Sequence, residues 1–168
     1  MPENNQEKNA FINRLESLKE DRGALAALRR GLGQPPGTVP DMFAYVIPYL
    51  PEHPSRDYED ACYLVASLFA FYPETAPEGN IGSHYARAVA SDPEHSEAIE
   101  RRFTVLLNAH SDDLPFYLRQ AVSYLRSKEI PINWDQLLKD LLHWNSTSRY
   151  IQRQWANSFW GNNPRKSE

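Results

Sequence analysis

Eight arginine residues have the side-chain type and the spacing that suit contact with a chain of phosphate groups. They form four pairs along the sequence: Arg29 and Arg30, Arg101 and Arg102, Arg119 and Arg126, and Arg149 and Arg153. Residues four or seven apart lie on one face of a helix. A guanidinium group donates two parallel hydrogen bonds to a phosphate, and such contacts do not depend on base sequence. The eight arginines are therefore the candidate nucleic-acid-binding residues. The alternative for each pair is a solvated helix face with ordinary ion pairs.

Arg119 differs from the other seven candidates in its sequence neighbours. It stands within the segment PFYLRQAVSYL, which is mostly apolar. A charge among apolar groups needs a partner, because losing water around it is costly. The sequence predicts either an internal carboxylate or an external phosphate as that partner.

A group of aromatic residues near the C-terminus offers a second kind of contact, since aromatic rings stack on bases. Its members are Trp144, Tyr150, Trp155, Phe159 and Trp160. Aromatic side chains at helical spacing more often fill a hydrophobic core. We therefore predict core positions for Trp144 and Trp155.

Patterns typical of catalysis or metal binding do not occur in the sequence. The five histidines include no pair four residues apart on one predicted helix, and the single cysteine, Cys62, lies in an apolar segment that predicts a buried thiol. The grouped carboxylates are Asp57, Glu59 and Asp60; Glu97 and Glu100; and Asp112 and Asp113. All lie at predicted helix starts, where the helix dipole stabilises negative charge. We predict no catalytic residue, no metal and no cofactor.

Helices must position these residues, because apolar residues recur with a period of 3.6 and no alternation long enough for a sheet occurs. Glycine, proline and capping residues divide the chain. The predicted helices cover residues 11–22, 24–30, 42–47, 56–71, 81–90, 92–110, 112–126, a segment starting at 133, and 147–160. Gly23 is predicted to break the first helix, Asp92 to cap the sixth, and Asn133 to form a capping box with Gln136.

The predicted fold class is all-α: an irregular bundle of eight or nine helices, arranged as one body or as two small packed lobes. We predict a single domain over residues 1–168, with a soft boundary near 91–96 and frayed ends at 1–9 and 162–168. No apolar run approaches the roughly 20 residues that span a membrane, and the first residues show no pattern typical of a signal peptide. We therefore expect a cytoplasmic protein without membrane contact.

The charge is distributed unevenly along the chain. The net charge is −4, but residues 1–100 contain 8 Lys or Arg against 16 Asp or Glu, whereas residues 101–168 contain 10 against 6. Such an asymmetry permits a basic face on an acidic protein. We expect folding to gather the arginines of distant helices on one exposed groove.

Several segments, in order, carry a resemblance to a known family. They are ALRRGLGQPPG, ACYLVASLFA, IERRFTVLLNAHSDDLPFYLRQAVSYL, WDQLLKDLLHW and SRYIQRQWANSFWG. Together they span about residues 10–161. The set resembles the CasB family, the small subunits of the type I-E CRISPR Cascade surveillance complex.

The resemblance implies a non-catalytic helical protein that stabilises the guide RNA–target DNA hybrid and the displaced strand through basic surface residues. It also implies three protein partners: the backbone subunits that coat the guide RNA, the large subunit, and a second copy of the chain placed head to tail. The matching arginines are Arg29, Arg30, Arg102, Arg119 and Arg149, while Arg101, Arg126 and Arg153 match less closely. Two alternatives stay open. A helical scaffold that binds only protein predicts exposed apolar patches and arginines paired with carboxylates, and an enzyme requires a pocket of convergent polar groups.

Overall fold

The computed structural model describes residues 8–161, which form nine α-helices and three short 3-10 helices. The α-helices are α1 Ala10–Ser17, α2 Arg22–Arg29, α3 Phe43–Val46, α4 Arg56–Phe71, α5 Ile81–Ser91, α6 Ser96–Leu107, α7 Leu114–Ser127, α8 Trp134–Leu141 and α9 Tyr150–Trp160. The 3-10 helices are Pro40–Met42, Ile47–Tyr49 and Pro93–His95. Within the described range, the β-type pairing is an isolated parallel bridge between Thr75 and Ile132. The predicted all-α bundle of eight or nine helices is confirmed.

The break between α1 and α2 comes earlier than predicted. Helix α1 ends at Ser17 and α2 already begins at Arg22, so Gly23 lies in the first turn of α2 and does not interrupt a helix. Asp21 determines this start, because its Oδ1 accepts a hydrogen bond from the Ala24 amide at 3.0 Å. A side chain that satisfies a free amide in the first turn fixes a helix N-terminus more strongly than a glycine weakens it.

Helix α4 lies at the centre of the fold, and its bounds agree with the predicted 56–71. Ser55 starts it by accepting a hydrogen bond from the Tyr58 amide at 3.2 Å. Helices α1, α2, α3, α7 and α8 all pack against it. Cys62 is fully buried on this helix, as predicted, and burial raises the pKa of its thiol to about 12.

Helices α5 and α9 cross at very short range. A Cβ atom placed on Gly82 would stand 2.0 Å from the Trp155 carbonyl oxygen, a distance that no side chain tolerates. Glycine is therefore required at this crossing, because it is the residue that brings no Cβ between the two backbones. The crossing fixes α9, and with it the C-terminal aromatic residues, against the bundle.

The predicted cap at Asp92 does not form. Its side chain accepts no capping hydrogen bond from a backbone amide, and α6 begins only at Ser96, after a 3-10 turn. The carboxylate instead contacts Lys128 Nζ and His95 Nδ1, each at 2.8 Å. These two groups hold the pKa of Asp92 below its usual range.

The start of α8 is close to the prediction, but the capping box is incomplete. Asn133 Oδ1 accepts a hydrogen bond from the Gln136 amide at 3.1 Å, as predicted. The Gln136 side chain turns along the helix instead and donates to Asp140 at 2.8 Å. Helix α9 begins at Tyr150, three residues later than the predicted start.

One hydrophobic core cluster contains residues from Phe11 to Phe159 and includes side chains from both sides of the 91–96 segment. That segment joins α5 to α6, and its role as a boundary stays a prediction. Of the predicted frayed ends, residues 1–7 and 162–168 lie outside the described residues, while the Asn9 amide donates to Asp135 at 2.9 Å. Across residues 8–161, no helix combines the length and the apolar character needed to cross a membrane.

Candidate nucleic-acid interface

An open groove of about 1010 Å³ runs between α6 and α7. We call it the α6–α7 groove. Three of the eight candidate arginines line it: Arg101 and Arg102 come from α6, and Arg119 comes from α7. Gln120, Ser123 and Tyr124 of α7 add amide and hydroxyl groups to the same lining.

The three groove arginines are exposed, and none forms an ion pair with a carboxylate within residues 8–161. Arg102 lies over the Tyr124 ring, with 5.4 Å between the guanidinium carbon and the ring centroid. A cation held over a ring keeps its charge and its outward donors. Of the two partners predicted for Arg119, an internal carboxylate is not found within the described residues, and the side chain lies on the exposed face of the helix.

A smaller hollow of about 470 Å³ adjoins the groove at Arg119. We call it the proline-loop pocket, since the segment 31–37 forms one wall and α4 another. Arg119 Nη1 lies 3.2 Å from the position of a Cβ on Gly33. Gly33 has φ of +75°, a conformation that favours glycine, so the loop passes close beneath the guanidinium group. This contact places the loop that follows α2 beside α7.

Arg29 and Arg126 each contact the C-terminal end of α4. Arg29 donates to the Ala70 carbonyl oxygen at 3.4 Å, and the Arg126 guanidinium lies 4.7 Å from the centroid of the neighbouring Phe71 ring. Arg126 also lies two turns along α7 from Arg119 on the same face. Five of the eight candidates therefore fall into two groups: three line the groove, and two contact the end of α4.

The remaining three candidates are placed differently. Arg30 forms an exposed ion pair with Asp41, the alternative that the sequence had left open for each pair. Arg149 has φ of +53° and donates to the Leu107 carbonyl oxygen at 2.9 Å, so it satisfies a free carbonyl at the end of α6. Arg153 is exposed on α9 and lines neither hollow. The binding role of all eight stays a prediction.

The C-terminal aromatic residues mostly pack inside the protein. Trp144 and Trp155 are 3% and 0% exposed, which confirms their predicted core positions. Phe159 contacts the Phe103 ring at 4.6 Å between centroids, and Trp160 contacts the same ring at 5.5 Å. A large exposed aromatic side chain lies elsewhere, at Phe116 in the α6–α7 groove, with 60% of the residue exposed.

The exposed position of Phe116 was not predicted from the sequence, although the sequence carries a signal for it. The buried residues of α7 are Leu114, Leu118, Ala121, Val122 and Leu125. Phe116 falls off that apolar stripe, two residues after its start. A phenylalanine off the buried face of an amphipathic helix is an exposed aromatic by position.

Two buried titratable groups were also missed. Asp140 is 3% exposed, and burial raises the pKa of its carboxyl group. His84 is 2% exposed, and burial, aided by the Arg87 charge, lowers its pKa to about 4. His84 Nε2 accepts a hydrogen bond from the Asn133 amide at 3.0 Å. Within residues 8–161, no three His, Cys, Asp or Glu side chains are close enough to hold a metal ion.

Comparison with known proteins identifies the family. A model of the family described as CRISPR-associated protein Cse2 matches residues 24–160 of this chain. The chain belongs to the CRISPR-associated protein Cse2 family. The Cse2 protein of Thermus thermophilus is 38% identical over 152 residues, which cover 90% of this chain and 86% of the relative. The resemblance stated from the sequence is confirmed.

Solved structures agree with this assignment. The crystal structure of CasB from Thermus thermophilus has a TM-score of 0.78 at 34% identity and covers 90% of this chain and 96% of its own. CasB from M. ruber gives a TM-score of 0.76 at 32% identity, with 92% of each chain covered. A chain solved within a CRISPR RNA-guided surveillance complex gives a TM-score of 0.79 at 28% identity, with 90% of each chain covered.

Proposed function

We propose that this chain is the non-catalytic small subunit of a type I-E CRISPR surveillance complex and that it binds nucleic acid through the α6–α7 groove. Membership of the Cse2 family supports the assembly, as does the similarity to a chain solved in a CRISPR RNA-guided surveillance complex. The observation that carries the binding role is the groove itself. It gathers Arg101, Arg102 and Arg119 without carboxylate partners in the described part of the chain.

In this proposal the groove binds the sugar-phosphate backbone of the nucleic acid, and another component of the complex recognises the base sequence. Guanidinium, hydroxyl and amide groups line it, and these donate hydrogen bonds to phosphate oxygens of any sequence. In an RNA-guided complex, base pairing between guide and target reads the sequence, and protein contacts tip a nearly balanced strand exchange towards the open form. The proposed ligands are therefore the guide RNA–target DNA hybrid and the displaced strand.

The net negative charge of the chain has a complementary role in this proposal. A net charge of −4 discourages indiscriminate binding of the free chain to cellular nucleic acid. Assembly with the backbone subunits, the large subunit and a second copy then places the groove beside the strands. Preorganisation of this kind raises affinity by reducing the cost of ordering the ligand.

A helical scaffold that binds only protein is the second candidate function. It draws support from the exposed Ile47, which is 51% exposed, and from the neighbouring Tyr49 at 37%. Tyr49 lines a shallow hollow together with Pro48, Leu50 and Tyr58. Exposed apolar residues that occur together suit a protein partner.

Target binding by the assembled complex separates the two candidates. Filter binding of target DNA is measured for complexes that contain the natural chain, no small subunit, or a chain with Arg101→Ala, Arg102→Ala and Arg119→Ala. The matched control removes three exposed arginines outside the groove: Arg14→Ala, Arg22→Ala and Arg56→Ala. We expect the groove variant to bind about as weakly as the complex without the subunit and the control to bind normally. Equal binding by groove and control variants favours the scaffold.

A further inference from the structure

The α6–α7 groove contains an apolar surface that phosphate contacts do not use. Phe116 on α7 is 60% exposed and Val105 on α6 is 48% exposed, and both line the groove beside its three arginines. Leaving such side chains in water forgoes the free energy of burial. An apolar ligand group that reaches the groove together with phosphates would cover them.

The Phe116 ring contacts a neighbouring aromatic ring while much of it stays accessible. Its neighbour Tyr117 contacts it at 5.3 Å between ring centroids, with 78° between the ring planes. Pro115 precedes it in the first turn of α7 and helps line the proline-loop pocket. A ring held on a helix loses little conformational entropy when a second planar group stacks on it.

The charges around Phe116 favour phosphates at the arginines and an uncharged group over the ring. Arg119 lies three residues further along α7 and lines the groove together with Arg101 and Arg102. Asp112 and Asp113 directly precede the helix and are exposed, and Asp112 lines the proline-loop pocket together with Phe116 and Arg119. Phosphates are attracted to the three arginines and repelled by the acidic pair. An uncharged base avoids that repulsion and fits over the ring.

We propose that an unpaired base of single-stranded nucleic acid stacks on Phe116 while its sugar-phosphate backbone follows Arg101, Arg102 and Arg119. This inference rests on the proposed function and adds the form of the ligand. A duplex covers its base faces by internal stacking and offers phosphates alone along its length. A single strand offers both phosphates and exposed base faces, which is the pairing that stacking platforms in charged grooves recognise.

The test is a titration of the full chain, at low salt, against short single strands of DNA and RNA and against the matching duplex. We expect Phe116→Ala to weaken single-strand binding about 5- to 100-fold, as for other base–aromatic contacts, and to leave duplex binding unchanged. Phe116→Trp should restore the affinity, because it returns a larger aromatic face. Phe116→Leu should stay weak, because it returns apolar area without a ring. A 2-aminopurine base in the strand should lose fluorescence on binding the natural chain but not Phe116→Ala.

Ile47→Ala is the matched control, since it removes a comparably exposed apolar side chain outside the groove. The inference is supported if Phe116→Ala loses affinity for single-stranded DNA and for single-stranded RNA. The strand that shows the larger loss is the one that makes the stronger contact with the ring. Undetectable single-strand binding by the natural chain overturns the inference, as does an equal loss for duplex or normal binding by Phe116→Leu. The inference is also overturned if Phe116→Ala binds single strands normally but assembles poorly into the complex. That result would mean that a protein partner covers the ring.

The triple arginine variant separates the two levels of the proposal. If it binds single strands weakly while Phe116→Ala binds normally, the stacking contact fails and the proposed function stands. If neither variant loses affinity, the groove is not the binding surface and both fail.

Discussion

The α6–α7 groove and the junction between α8 and α9 use the same kinds of side chain in opposite ways. At the α8–α9 junction, Trp155 Nε1 donates to Asp140 Oδ2 at 2.7 Å and Gln136 donates to the other carboxylate oxygen at 2.8 Å. The Asp140 carboxyl group and the Trp155 indole N–H satisfy each other's hydrogen bonding there, and both residues are buried. In the groove, Arg119 and Phe116 are both exposed, and Arg119 forms no ion pair with a carboxylate within the described residues.

From this difference we infer that the junction serves stability, in keeping with the proposal that the groove serves binding. A buried polar group that keeps its hydrogen bonds contributes to a unique fold, and removing one partner leaves the other unsatisfied. Exposed cations without partners contribute little to stability, so their substitution should change binding alone.

Replacing Trp155 by alanine should destabilise the protein by about 3–5 kcal/mol, because it leaves a large cavity and removes a donor from buried Asp140. Urea unfolding followed by circular dichroism measures the loss. Arg153→Ala on the same helix is the control, and it should change the free energy of unfolding by less than about 0.5 kcal/mol. Equal effects of the two substitutions would show that the junction is not part of the folded core.

Acid should destabilise the protein through His84. Its pKa is lowered to about 4 in the folded protein, whereas an unfolded histidine titrates near 6.5. The unfolded chain therefore takes up the proton first, and stability present above pH 6.5 falls by about 3 kcal/mol as the pH drops to 4. The raised pKa of Asp140 acts in the opposite direction. Comparison with His84→Gln cancels that contribution.

Unfolding free energies of the natural chain and of His84→Gln, measured between pH 7 and 4, should diverge in slope. The glutamine can still accept the hydrogen bond from Asn133, so its curve should be flatter by the histidine contribution. Parallel curves would mean that His84 does not titrate on unfolding in this range, and the buried position assigned to it would be wrong.

Gly33→Ala should have a smaller effect, of about 1–2 kcal/mol, because the positive φ of this residue strains any side chain with a Cβ. The added methyl group would also meet Arg119 Nη1 at 3.2 Å. We expect a modest loss of nucleic-acid affinity in addition to the loss of stability. Gly23→Ala is the control, since Gly23 lies within α2 at negative φ, and it should be neutral or stabilising.

The smallest effect is expected for Arg30→Ala. Its ion pair with Asp41 is exposed on both sides, so the free energy of unfolding should fall by less than about 1 kcal/mol. Nucleic-acid affinity should fall less than for Arg119→Ala, because Asp41 already neutralises part of the charge. A larger loss of affinity for Arg30→Ala than for Arg119→Ala would move the binding surface from the groove towards α2.

The sequence predicted the helices better than the surface. The bounds of α4 and the burial of Trp144 and Trp155 followed from apolar periodicity, which is a local property. The start of α2 was wrong because Asp21 caps it, and the cap at Asp92 was wrong because Lys128, 36 residues away, takes the carboxylate. Competition from a distant partner is not visible in local sequence.

The candidate site was only partly predictable for the same reason. The type and number of the arginines were visible, but their partners depend on packing. Asp41 pairs with Arg30 across an intervening loop, and Leu107 brings its carbonyl to Arg149 from another helix. The convergence of Arg101, Arg102 and Arg119 likewise follows from how α6 packs on α7. Phe116 was predictable in principle, because its position off the apolar stripe is a property of α7 alone.

The most direct test of the central claim is the salt dependence of target binding by the assembled complex. The logarithm of affinity falls linearly with the logarithm of salt concentration, by about 0.7 to 0.9 for each phosphate that a cation neutralises. We predict that replacing Arg101, Arg102 and Arg119 by alanine reduces this slope by about two to three and weakens binding most at low salt. An unchanged slope with unchanged affinity would contradict the claim that these three arginines hold a nucleic-acid backbone.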